Sequence, residues 1–173
     1  MHIIGKPSKI NLETKLGTPI ENWFDDDALP YDAEKVAKEH VKKYGVSLDN
    51  KLRVLTRNSR YNCHGLVFAN RRTGITEEKE MLKILQEDGY RKINLDELMP
   101  GDIVLFKDQA DEYSHTALVL EMRRVGTLSA PILISKWGFS GEWLHDFYNH
   151  PYSNHRKEYW TDRPKLEGKY ENF

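Results

Sequence analysis

The chain contains a single cysteine, Cys63, among 173 residues. A cysteine that does chemistry does it as a thiolate, attacking an acyl carbon or binding a metal. Asn62 stands directly before it and is a good helix N-cap. That predicts a buried helix over 62–70 with Cys63 in its first turn. There the positive end of the helix dipole favours a thiolate, and backbone N–H groups can hold a developing oxyanion. The ordinary fate of a lone cysteine is that of a small buried hydrophobe, so a partner has to decide between the two. His115 opens an apolar strand just after the polar residues Tyr113 and Ser114. From the mouth of a sheet, an imidazole can project over a helix packed on it, take a proton from a thiol and return it to a leaving group.

An imidazole in that role needs a third group to orient it. The next strand offers Ser135 and Lys136, and Glu142, His145 and Asn149 follow the turns at Gly138 and Gly141. A charged lysine accepts no hydrogen bond, whereas His145 can accept one if its loop folds back. His64 adjoins Cys63, but successive helical residues point about 100° apart. It is therefore read as facing substrate or supporting the site, not as the base. None of the seven histidines shows a metal-ligand spacing such as two on one helix face. Neither a metal nor a cofactor is expected.

Elements must place these groups. The arm 1–30 is polar and broken by Pro7, Gly17, Pro19 and Pro30, with Trp23 and Phe24 able to pin it to a core and Asp25–Asp27 as a solvated turn. A helix is predicted over 33–44, capped by Asp32, with Val36, Ala37, Val41 and Tyr44 at helical spacing and Gly45 as its stop. A short extended piece over 52–56 follows. A second amphipathic helix runs over 77–88, with Thr76 able to cap it, Met81, Leu82, Ile84 and Leu85 inward, and Gly89 ending it. Beyond the Pro100-Gly101-Asp102 turn, the pattern changes to strands at 103–106, 115–122 and 131–137, with a last one at 158–161 and a hairpin loop over 123–130. Helices first, then an antiparallel sheet, make an α+β domain. The whole of 1–173 reads as one domain: the arm, a core over 31–165 and a tail over 166–173.

Composition excludes several functions. Lys and Arg number 26 against 27 Asp and Glu, so no basic surface for nucleic acid is expected. No apolar run approaches the roughly 18 residues of a membrane span. The first residues lack the basic and apolar regions of a signal peptide. One cysteine permits no internal disulfide and no zinc site of the cysteine-pair type, which fits a reducing compartment. The expectation is a cytoplasmic protein as synthesised, or one exported without a classical signal peptide.

Taken together, Tyr61-Asn62-Cys63-His64-Gly65-Leu66-Val67-Phe68, then Gly101-Asp102-Ile103-Val104-Leu105-Phe106, then Ser114-His115-Thr116-Ala117-Leu118-Val119 resemble the NlpC-type and CHAP-type papain-like cysteine peptidases over about residues 55 to 140. The resemblance implies a papain-like fold, N-terminal helices on a mainly antiparallel sheet. It makes Cys63 the nucleophile, His115 the base and Gly65 the small residue of close packing. The third catalytic position falls on Ser135-Lys136, where those families place His, Asn, Gln or Glu. Ser135-Lys136-Trp137-Gly138 with the later His145 is similar to a bacterial papain-like branch, which implies that Lys136 and His145 belong to the site. Tyr61, Asn62, His64, Ser135 and Trp137 would then line the substrate and oxyanion region. The implied activity is hydrolysis of an amide bond in a peptide or peptidoglycan substrate through an acyl-enzyme, in a bacterial or phage effector. Acyl transfer by the same pair, or an inactive papain-like binding module, are the alternatives.

Overall fold

The run Ile103-Val104-Leu105-Phe106 is apolar at every position, which requires cover on both faces of a strand. The computed structural model supplies that cover. It describes residues 9–23, 35, 39, 42, 43, 45, 46, 52–54, 60–126, 128–138 and 141–165. The strands are β1 (Leu52–Val54), β2 (Arg91–Ile93), β3 (Ile103–Lys107), β4 (Tyr113–Val125), β5 (Leu128–Lys136), β6 (Glu142–Asp146) and β7 (Arg156–Thr161). They form one sheet in the order β1-β6-β5-β4-β3-β7-β2, every neighbouring pair antiparallel. Two α-helices lie wholly within the described residues, α1 (Cys63–Phe68) and α2 (Glu78–Glu87). The architecture is α+β.

The register assigns each residue to a face. Ile103, Leu105 and Leu118 pack with Val67 and Phe68 of α1 and Met81 and Leu85 of α2, which defines the helix face. Val104, Phe106, Ala117, Val119 and Leu133 point the other way and pack with Phe147 and Tyr152. Because directly opposed residues share a face, Lys136 and its partner Glu142 lie on the helix face. Ser135 and Trp143 lie on the far one.

The sheet holds more strands than the expected four. β2 falls where the sequence carried no expectation, β6 where a loop was expected around His145, and the expected hairpin loop over 123–130 is mostly paired strand. The helix expected over 77–88 is α2, but no side chain caps it. The helix expected over 33–44 has its described positions 35, 39, 42 and 43 helical. Its apolar residues Val36, Ala37, Val41 and Tyr44 lie outside the described residues, as do Phe24, Asp25–Asp27 and the tail beyond 165. Trp23 does pin the arm. It bridges to Gly74, where a Cβ would lie 2.3 Å from the indole.

Candidate functional site

The site begins with the turn that starts α1. Asn62 Oδ1 accepts the N–H of Gly65 at 2.9 Å and that of Ile75 at 3.1 Å, while its Nδ2 donates to the Ile75 carbonyl at 2.6 Å. One side chain thus caps the helix and ties it to the returning chain. Gly65 makes the close approach possible, since a Cβ there would sit 1.8 Å from the Thr73 carbonyl oxygen. α1 has six residues, too short for much of a dipole, because a macrodipole sums aligned peptides. Individual N–H groups matter more. Those of Thr116, His64 and Cys63 itself favour the thiolate of Cys63, as does the charge of Lys136. Burial outweighs them and pushes the thiol up to about 11. Cys63 nonetheless keeps part of its surface exposed.

Lys136 is the second member, only 3 % exposed. Its Nζ lies 4.3 Å from the centroid of the Tyr61 ring, a cation–π distance. Burial brings its ammonium down to about 8, against the opposing pull of Glu142 and of Cys63. Across the strand pair, Glu142 is 0 % exposed. It accepts three hydrogen bonds: from Tyr61 Oη, from Arg71 Nε at 2.8 Å and from Arg71 Nη2 at 3.1 Å. Arg71 is held above its ordinary pKa, first by the hydrogen bond to Glu142. His64 is buried beside this group, its Nδ1 2.5 Å from Thr116 Oγ1, and burial takes it down to about 4.

His115 is not part of this group. Thr116 meets α1, and side chains alternate along a strand, so His115 points to the far face. It is 0 % exposed, stacks on Tyr152 at 3.6 Å and 9° and lies 5.3 Å from Phe106. Neither of its ring nitrogens has a hydrogen-bond partner among the described residues. The expectation that His115 faces Cys63 is corrected here. His145 does not orient it either. Its Nδ1 lies 2.8 Å from the Asp146 carbonyl and its Nε2 lies 2.8 Å from Ser135 Oγ. Because the carbonyl can only accept, Nδ1 carries the proton and Nε2 accepts from Ser135. Ser135 Oγ in turn accepts from Trp137 Nε1 at 2.9 Å. Ser135, Trp137 and His145 are therefore joined by hydrogen bonds, with Ser135 and His145 on the far face of the sheet, opposite the helix face that carries Cys63. The nine expected site residues divide into Tyr61, Asn62, Cys63, His64 and Lys136 on one side and His115, Ser135, Trp137 and His145 on the other.

No family model, curated protein or solved structure matches the chain. Among the described residues no group of three or more His, Cys, Asp or Glu is placed to hold a metal ion, and no helix is long and apolar enough to cross a membrane. Sequence reasoning missed Arg71 and Thr116 as members of the Cys63 group. It saw Glu142 only as a candidate partner for His115. Their only signal is strand register and the turn after α1, neither of which a local pattern encodes.

Proposed function

We propose that the chain is a cysteine-dependent hydrolase of papain-like type, acting on an amide bond in a peptide or peptidoglycan, with Cys63 as nucleophile and Lys136 as its proton acceptor. One observation carries this reading. Cys63 is not fully buried as a residue, and it lies on the helix face of the sheet with a buried lysine close enough for each to shift the other. A lysine brought down to about 8 is about one-tenth neutral at pH 7 and about half neutral at pH 8, and its neutral form can act as a base. In the acylation step, the Lys136 amine takes the Cys63 proton and the sulfur attacks the carbonyl carbon. The resulting ammonium then returns that proton to the departing amine as the C–N bond breaks. Water hydrolyses the thioester and restores the thiol. An added amine in place of water would give acyl transfer from the same intermediate.

The test is alkylation of native protein by iodoacetamide across pH 6 to 10, read by mass spectrometry at Cys63. The expected result at pH 8 is a roughly tenfold slower reaction in Lys136→Met, equivalent to one unit of thiol pKa, and no change in His115→Phe. Equal rates in Lys136→Met and the parent would overturn the assignment. The second reading, a binding module on the same fold, is favoured by the direction of His115 and by the raised thiol. It predicts a Cys63 that reacts only in denaturant.

A further inference from the structure

We propose that Glu142 is the positioning residue of this site, a buried carboxylate that Arg71 and Tyr61 clamp so that it fixes the place and the charge of Lys136 beside Cys63. The inference rests on the reading of Lys136 as the proton acceptor of Cys63. Three features of the geometry support it.

The first is the carboxylate itself. Glu142 is 0 % exposed, and a buried carboxylate is strongly unfavourable unless its oxygens are paired. Both oxygens are engaged, one by Tyr61 Oη and Arg71 Nε and the other by Arg71 Nη2. The second is the backbone that delivers Arg71. Asn70 and Arg71 take φ values of 46° and 65°, left-handed conformations that are unfavourable for a non-glycine residue. Arg71 is kept there by its N–H on the Gly65 carbonyl at 3.0 Å and by its guanidinium on Glu142. The turn is strained in the way that brings a cation to this carboxylate. The third is register. Glu142 and Lys136 are direct cross-strand partners on the helix face, and Tyr61 touches both, through its hydroxyl to one and its ring to the other.

Around Lys136, the charged and titratable groups among the described residues are Cys63 on α1, Tyr61 just before it, Arg71 in the turn after it and Glu142 on β6. His64, also on α1, is engaged with Thr116. Glu142 favours the ammonium, and Arg71 is paired with that same carboxylate, so removing one or the other should have opposite effects on one lysine. This distinguishes positioning from mere packing. The probe is the proton titration of Lys136 itself, followed by NMR of its Hε–Cε correlation in Cys63→Ser protein, where no thiol chemistry intervenes. Glu142→Gln is expected to move the Lys136 midpoint down by about one unit, and Glu142→Asp to leave it nearly in place. Arg71→Met is expected to move it up by a fraction of a unit, because the carboxylate it leaves behind then acts on Lys136 alone. Unmoved midpoints would overturn the proposal. So would a rise in both Glu142→Gln and Arg71→Met toward the ordinary lysine value, which is what simple loosening of the site produces. A Lys136 that responds as expected in a protein whose Cys63 alkylation ignores Lys136 would retire the hydrolase reading and keep this one.

Discussion

At the scale of single residues, His115 poses the sharpest energetic question. A neutral imidazole has one N–H and one lone pair to satisfy, and neither finds a partner among the described residues. Burying unpaired polar groups costs about 1–3 kcal/mol, while the stack on Tyr152 and the contact with Phe106 need only an aromatic ring. His115→Phe should therefore raise stability by about 1 kcal/mol after some overpacking, read as a higher Tm in thermal unfolding. A lower Tm would mean that the imidazole does something in the folded protein beyond stacking. Sequence reasoning found this residue but misjudged its direction, for a specific reason. Around it, Ala117, Leu118 and Val119 are apolar on both faces, so alternation carries no sign. Cys63 was easier to place, because Asn62 announces the helix start from the sequence alone.

The short helix α1 depends on one side chain at its start. Asn62 satisfies Gly65 N–H and both backbone groups of Ile75, and Ile75 is fully buried. Asn62→Ala removes a cap, worth about 1 kcal/mol, and strands two buried backbone groups. The combined loss should be about 2–3 kcal/mol in chemical denaturation. Asn62→Asp keeps the acceptor and loses only the donor to the Ile75 carbonyl, so it should fall between. A loss in Asn62→Ala no larger than that of an exposed cap would show that the tie to Ile75 is not holding the turn. Among the elements, those with their own pattern were foreseen: α2 from its apolar stripe, and β3, β4 and β5 from their apolar runs. The three-residue strands β1 and β2 have too little sequence to show a period. β1 appeared only as a stretch of extended chain, and β2 and β6 owe their existence to the neighbours they pair with, which is why the first was not foreseen and the second was expected as a loop.

For the molecule as a whole, three buried histidines carry an acid sensitivity: His64 on the helix face of the sheet, and His115 and His150 on the far one. His64 is taken down to about 4 and His150 to about 3, and His115 lies well below its ordinary value, burial being the first cause in each. For His115, the neighbouring His150 and His145 add repulsion. All three stay neutral in the folded chain, whereas in the unfolded chain each takes up a proton below its ordinary value near 6.5. The unfolded state then binds more protons, so stability is full above pH 6.5 and falls as the pH drops below it. Each ring contributes up to about 1.4 kcal/mol per pH unit, so three approach about 4. Asp102, paired with Arg163, and Glu80, paired with Lys83, are also held below their ordinary values. Their contributions are lost only as the pH falls below the ordinary carboxylate range near 4, so the window between 6.5 and 5 belongs to the histidines. Urea denaturation at pH 7.5, 6.5 and 5.5 should show little change over the first step and a steep fall over the second. His150→Phe should flatten that second step by about one proton's worth, because it removes one of the rings that must stay neutral. A midpoint constant from pH 7.5 to 5.5 would mean that these imidazoles are reached by solvent in the folded protein, contrary to their burial on the two faces of the sheet.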